Sequence, residues 1–348
     1  MRKVLTVIQI AFTYIGTIVG AGFATGQEIV QFYTRYGGFA VVLIFLSALL
    51  FIYLGTKLML LAQEMNAESY EDLNRMLFGE RAGSYISLFM MVVLFGVTTI
   101  MLAGAGSLFA EQFHFSYQSG LLLTLLAAYF VISKGMKGIL TINVIVVPFM
   151  ITFSLVIIAV TWSHPQAGNW LHLPSDLSSW RLWLSPILYT SFNLAMAQAV
   201  LVPMGSAIGS RSLLYWGGIV GGAGIGVMLM AAHFALSAQM PGIAHYEIPM
   251  SHIVHSLGRA VQLLFSAVIF SEIFTTLTAD AYGLTLQLRQ RTNWPSSSLT
   301  LLLLAACYLV SQLGFSNLLS TLYPLFGGVS LVWFLMLLWK RSQPTHSS

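Results

Sequence analysis

The stretch Gly16-Thr17-Ile18-Val19-Gly20-Ala21-Gly22-Phe23-Ala24-Thr25-Gly26-Gln27-Glu28 lies inside the first hydrophobic segment of the chain and decides how the rest is read. A segment that crosses lipid has every reason to stay a plain helix, because hydrocarbon offers no partner to a free N–H or C=O. Here four glycines, two threonines, a glutamine and a glutamate interrupt an apolar run. Broken backbone at membrane depth is tolerated where protein encloses it, typically around a solute or ion site.

Composition agrees with a membrane setting. Of 348 residues, 57% are hydrophobic and only 7% charged, against roughly a quarter charged in soluble domains. The apolar runs are long enough for helices and too long for barrel strands. No polar block is large enough for a soluble domain, so the net charge of +4 reports topology rather than nucleic-acid binding. Met1-Arg2-Lys3 opens like a signal peptide, but the apolar run that follows is too long for one and is read as a retained span. The single cysteine, Cys307, excludes an intrachain disulfide and a cysteine-cluster metal site.

Ten spans are expected, at roughly 4–34, 38–62, 84–111, 118–133, 138–162, 183–209, 213–237, 259–287, 296–313 and 318–339. With the N-terminus in the cytoplasm, 12 of the 15 basic residues fall on the inner side and only Arg35, Arg181 and Arg259 on the outer. The positive-inside rule thus favours cytoplasmic termini and an even span count in the cell membrane. The inner loop 66–82 contains Ser69-Tyr-Glu-Asp72, a capping-box pattern, followed by Leu73, Met76 and Leu77 at helical spacing. The outer loop 239–258 holds Ile253, Val254 and Leu257, which read as a short helix over an outer vestibule, with a solvated connector as the alternative.

An odd number of spans per half forces the second half to be inverted. The division is 1–163 for a first five-helix repeat, 164–182 for an extracellular connector, 183–340 for the inverted second repeat and 341–348 for a cytoplasmic tail. Span six then partners span one. It too is polar at its centre, Ser191-Phe-Asn193-Leu-Ala-Met-Ala-Gln198, followed by Pro203 and Gly205, so spans one and six are both expected to be discontinuous. The fold class is an all-α integral membrane protein of ten helices in a five-plus-five inverted repeat.

Gly16-x-x-x-Gly20-x-Gly22 resembles the first-helix signature of the amino acid–polyamine–organocation transporters. The wider string, Val19 to Glu28 with Ser191 to Pro203, is similar to the YkvI-like bacterial membrane proteins, a group treated as amino-acid permeases in that superfamily. The resemblance implies the LeuT fold and alternating access. It implies that Gly20, Ala21 and Gly22 meet a substrate carboxylate, a role suited to N–H groups at a half-helix start. It also implies a sodium site built from Thr275 and Thr276 of span eight with the carbonyls of Gly16 and Val19, hard oxygen donors for a hard cation.

Each of these residues has a plainer reading. The glycines also serve close helix packing, and the threonines also bond back to their own helix. Asn193 and Gln198 either contact substrate or satisfy backbone within span six. Asn143 and Pro148 mark a kink in span five. His233, alone in its span, reads as a packed residue. Glu272, Thr276 and Asp280, spaced i, i+4, i+8, lie near one helix face. Glu272, Glu28 and Asp280 are proton-relay candidates, since a charge at span centre costs ~2.5–3.5 kcal/mol and must be paired, protonated or wet. Glu272 is the deepest. Asp280 nears the inner end, where water could reach it.

The expectation is a secondary active transporter of a small zwitterion, an amino acid by resemblance, coupled to sodium or proton. Its partners are a small-molecule substrate and membrane lipid, with no nucleic acid and no obligatory protein partner. No cofactor is expected beyond a sodium ion. The chain holds no phosphate-binding loop, no His-Glu-x-x-His and no Gly-x-Ser-x-Gly, which argues against ATP-driven transport and against an enzyme. A channel or ligand sensor using the same broken helix is the alternative.

Overall fold

The computed structural model describes residues 2–175, 179–246, 249–255, 258–312 and 333–338. The described residues form helices and connections, with no strand among them. In chain order the helices are α1 (Arg2–Ile18), α2 (Ala21–Thr25), α3 (Gln27–Phe32), α4 (Ala40–Leu50), α5 (Thr56–Met65), α6 (Tyr70–Phe78), α7 (Glu80–Phe113), α8 (Tyr117–Ser133), α9 (Met136–Trp162), α10 (Asn169–His172), α11 (Ser179–Ala207), α12 (Arg211–Ser237), α13 (Pro249–His255), α14 (Arg259–Thr292) and α15 (Ser296–Ser311). Six helical segments among the described residues are long and apolar enough to cross a membrane, and α1, α8 and α15 are shorter apolar helices. Span ten lies outside the described residues except for a helical piece at 333–338.

Span one breaks where the sequence places its glycines. Gly20 is extended at φ −112°, ψ −172°, so α1 cannot run into α2. Gly26, at φ +81°, separates α2 from α3, a left-handed conformation that glycine adopts without a Cβ penalty. Span two carries an interruption the sequence did not announce. Between α4 and α5 the backbone makes a π-helical turn, Phe51–Gly55. There the Tyr14 hydroxyl donates to the Phe51 carbonyl at 2.8 Å, and a Cβ at Gly55 would strike the Tyr14 ring.

Span six departs from expectation: α11 is one continuous helix through Asn193, Gln198 and Pro203. The reason is local. The polar centre Asn193-Leu-Ala-Met-Ala-Gln198 contains no glycine and is rich in good helix formers. Ser191 and Asn193 turn back onto Ile187 and Tyr189 carbonyls, at 2.5 and 2.9 Å, which consumes polarity without opening the backbone.

The helices fall into two sets. α1 packs on α12 and meets α11, while α4 and α5 pack against both α11 and α12; α14 packs on α7, and both meet α8 and α15. α9 touches α1, α12, α14 and α8, and so stands between the sets. Spans one and two thus associate with six and seven, and three and four with eight and nine, the pairing of a five-plus-five repeat. Small residues allow the closest approach. A Cβ at Gly217 would meet Ile10, at Gly218 Thr56, and at Gly222 the Ile52 backbone, so α12 lies almost backbone to backbone on spans one and two.

Two connections carry the short helices the sequence led one to expect, α6 and α13. α6 opens with a capping box: the Ser69 hydroxyl accepts from the Glu71 N–H at 3.1 Å, and Asp72 accepts from the Ser69 N–H at 3.3 Å. Glu71, 1% exposed, then ties α6 to the inner end of α14. Arg291 donates to both its oxygens, at 2.7 and 2.9 Å, Arg75 at 2.7 Å and Gln287 at 3.2 Å. Burial alone would push the Glu71 carboxyl up, but the hydrogen bonds of Arg291 and Gln287 and the charges of Arg291 and Arg75 outweigh it and hold the carboxyl below its ordinary value. On the outer side the Gly38 N–H donates to the Leu173 carbonyl at 2.9 Å. His233 bridges Thr34 (3.1 Å) and the Trp170 carbonyl (3.2 Å), a packed residue as anticipated. α13 forms the short outer helix; Leu257 lies outside the described residues.

Glu71→Gln removes the buried carboxylate that the partly exposed Arg291 and Arg75 hold, and is expected to cost about 1.5–3 kcal/mol, the worth of a hydrogen bond to a charged group. Because the folded-state pKa is depressed, the ionised pair stabilises above the unfolded carboxylate pKa and that stability is lost as pH falls through the folded value. The thermal midpoint of the wild type should therefore fall with acid more steeply than that of Glu71→Gln.

Candidate functional site

The break in span one faces α14. The Val19 N–H still reaches Ile15 O at 2.8 Å, but the Phe23 and Ala24 N–H groups go to Gly20 O, at 2.9 and 3.1 Å. α2 is thus a fresh turn rather than a continuation. The last carbonyls of α1, from Gly16 onward, lose the N–H partners that a continued helix would supply.

On α14, Glu272 (2%), Thr275 (0%), Thr278 (0%) and Asp280 (3%) are buried and Thr276 half-buried. A Cβ at Gly20 would lie 3.3 Å from Thr276 Oγ1, and that hydroxyl has no hydrogen-bond partner. Thr275, in contrast, donates to Glu272 O at 3.1 Å, and Thr278 to Phe274 O at 2.9 Å. Of the two expected hydroxyl ligands, Thr276 faces the break and Thr275 is engaged with its own helix.

Two of the three proton-relay candidates, Glu272 and Glu28, reach α2. The Glu272 carboxyl lies near the Ala24 backbone N–H, which itself donates to Gly20 O, and the Glu272 Oε2 is buried without a partner. Glu28, in the first turn of α3, lays its side chain over Gly22, so that a Cβ there would stand 2.5 Å from Glu28 Cδ. The two carboxyls are close enough to feel each other's charge. Beside Glu272 is a cavity of about 20 Å³ lined by Phe23, Met150, Ser154, Met228 and Met250 among others, room for about one water.

The remaining candidates separate. Asp280 is not solvated at the inner end: it is 3% exposed, its Oδ2 has no partner, and it lies near Tyr70 of α6. α6 covers the inner end of α14, which places Asp280 under protein rather than under water. Gln198 is wholly buried with neither amide atom partnered, whereas Asn193 bonds back to Tyr189 O. Thr98 and Thr99 bond back to Leu94 and Phe95 carbonyls. Among the described residues no three histidine, cysteine or acidic groups gather as metal ligands. The outer histidines stay apart, His252 stacked on Tyr246 and His255 beside Gln262.

No protein-family model matches the chain. It is 40% identical over 344 residues, covering 97% of each chain, to the uncharacterized membrane protein YkvI of Bacillus subtilis (strain 168). Among solved structures it is similar to MhsT in complex with L-phenylalanine, with a TM-score of 0.73 at 15% identity over 95% of this chain and 87% of that one. It is similar also to a Na⁺-coupled sialic acid symporter, with a TM-score of 0.68 at 14% identity over 94% and 77%. These neighbours carry the LeuT fold, and so does this chain.

The contacts at the break make a sharp expectation. Gly22→Ala drives a methyl group into the Glu28 side chain, and an overpacking cost of about 1–3 kcal/mol follows. Gly209→Ala, with nothing within 4 Å of its Cβ, should leave the thermal midpoint of the purified protein unchanged or slightly raised.

Proposed function

The chain belongs to the family of the membrane protein YkvI, and on that footing we propose that it is a secondary active transporter of a small zwitterion, an amino acid, coupled to sodium or proton. The observation that carries the reading is the meeting of the interrupted first span with the polar face of α14. Gly20 lies against an unpartnered Thr276 hydroxyl, and the buried Glu272 carboxyl lies near the half-helix that follows the break, with one oxygen unpartnered. Unwound backbone opposite a polar helix face supplies carbonyls for a cation and N–H groups for a carboxylate in one place.

In this reading Gly20, Ala21 and Gly22 present the backbone that receives the substrate carboxylate. Gln198, buried and unpartnered on α11, supplies an amide to the substrate. Glu272 is the proton-relay residue if the driving ion is a proton, and Thr276 with the Gly16 and Val19 carbonyls is the site if it is sodium. The distribution of basic residues supports cytoplasmic termini in the cell membrane. The neighbours bind L-phenylalanine and sialic acid, both of which carry a carboxylate. The small cavity beside Glu272 favours a carrier in a closed state over an open channel.

Purified protein should be screened for thermal stability against amino acids and amines, in sodium or in choline, at neutral and acid pH. A ligand at about a hundredfold its Kd stabilises by about 2.7 kcal/mol, enough for a clear rise in midpoint. A sodium-dependent hit lost in Thr276→Ala, or a pH-dependent, sodium-independent hit lost in Glu272→Gln, supports the reading. Reconstituted protein that shows neither a shift nor gradient-driven uptake of any of these solutes overturns it.

A further inference from the structure

Asn143 of α9 is 1% exposed, and its two amide ends have separate fates. Nδ2 donates to the Ile139 carbonyl at 2.8 Å. A carbonyl can only accept, so this bond fixes which end is the NH₂. The other end, Oδ1, is buried with no hydrogen-bond partner and stands against Gly16 in the last turn of α1. A Cβ at Gly16 would run into Oδ1 and stand 3.0 Å from Asn143 Cγ. Glycine at 16 is therefore what admits a carboxamide oxygen to that turn.

An acceptor buried alone costs about 1–3 kcal/mol, which an alanine or leucine at 143 would not incur. Just past the end of α1, Gly20 lies near the equally unpartnered Thr276 Oγ1. Unsatisfied oxygens from α9 and α14 thus flank the turn of α1 whose own carbonyls have lost their helical partners. Every donor in this set is neutral and none titrates between ordinary pH limits. Such a set suits a hard monovalent cation and offers nowhere for a proton to reside.

We propose that Asn143 is a ligand of a sodium ion held at the first break, bringing a side-chain oxygen from α9 to join Thr276 of α14 and the terminal carbonyls of α1. The proposal rests on the transporter reading and sharpens it, since it makes sodium the coupling ion at this position. Gly16 acquires a role as well: it is the gap through which the amide reaches the ion, rather than a contact point for helix packing.

The test measures sodium binding to the full-length purified protein, by radiolabelled sodium and by thermal midpoint titrated with sodium against choline. Thr276→Ala, Asn143→Ala, Asn143→Asp and Gly16→Ala are compared with wild type. Loss of one hydrogen-bond-strength contact to a charged group should raise the half-saturating sodium concentration about tenfold or more in Asn143→Ala and Gly16→Ala. Asn143→Asp keeps an oxygen at the same place, so it should bind sodium at least as tightly as wild type, with an affinity that falls as acid neutralises the new carboxylate. Asn143→Asp is near-isosteric and remains informative if the alanine variant does not fold. Wild-type sodium affinity in Asn143→Ala, or pH-independent wild-type affinity in Asn143→Asp, overturns the role of Asn143. If Thr276→Ala still abolishes the sodium response, the transporter site stands without it. Wild-type protein that ignores sodium while binding an amino acid in a pH-dependent way overturns the sodium site and leaves a proton-coupled carrier.

Discussion

Hydrocarbon cannot hydrogen-bond a peptide group, and the architecture of this chain follows from the one place where that constraint is strained. Span one opens at Gly20 and again at Gly26. Each opening releases backbone polar groups that lipid would penalise by several kcal/mol apiece. The opened backbone therefore has to be enclosed by protein. α12 closes one side through glycines that bring it against Ile10, Tyr14 and Ile15. α14 closes another with Thr276 and Glu272, and α13 lays Met250 over Gly26. The second interruption, in span two, obeys the same rule. The Phe51 carbonyl displaced by the π-helical turn is taken by the hydroxyl of Tyr14, a residue of span one itself.

Polar groups are satisfied very differently at the two depths. At the inner end, Glu71 holds Arg291, Arg75 and Gln287, Asn74 accepts from Trp333 at 2.8 Å, and Gln290 donates to Asp72 at 2.6 Å. A network with this many charge-assisted bonds rigidifies what it joins, and it fastens α6 to α14 and to the 333–338 helix. Around the break, Thr276 Oγ1, Asn143 Oδ1 and one oxygen of Glu272 are buried without partners. Stability is concentrated where the helices are anchored.

Much of this was legible in the residues. The glycine-threonine run announced the break, with four glycines in thirteen residues of an apolar span, although helix packing was an alternative use for them. Ser69 and Asp72 announced α6, and the i, i+4, i+8 spacing announced the polar face of α14. What failed did so for identifiable reasons. Span six looked broken because it is polar, but polarity alone does not open a helix: without glycine, Ser191 and Asn193 simply fold back onto the preceding turn. The π-helical turn depends on a tyrosine 37 residues away, which no local window contains. Asp280 looked solvated from its position in the span, and only the docking of α6 buries it. Asn143 reads with Pro148 as marking a kink, and its contact with Gly16, on another helix, is visible in no local window.

Glycine illustrates why the same letter carries different information along this chain. Gly217, Gly218 and Gly222 are small so that apolar side chains and backbone may fit against them, and their partners have no polar atom seeking a bond except the hydroxyl of Thr56. Gly16, Gly20 and Gly22 are small against Asn143, Thr276 and Glu28. Packing is satisfied by any apolar surface of the right shape, so the first group needs only complementary volume. The second group brings polar side chains of α9 and α14, and Glu28 of the same span, against one interrupted segment. Asn143 Oδ1 and Thr276 Oγ1 lose hydration there with no hydrogen-bond partner in return, a cost that a ligand would offset. Helix association does not require such an arrangement, since leucine or alanine at 143 and 276 would pack as well without the penalty. Its retention at the break, and not elsewhere along α1, is the physical ground for treating this turn as a binding site rather than as a seam.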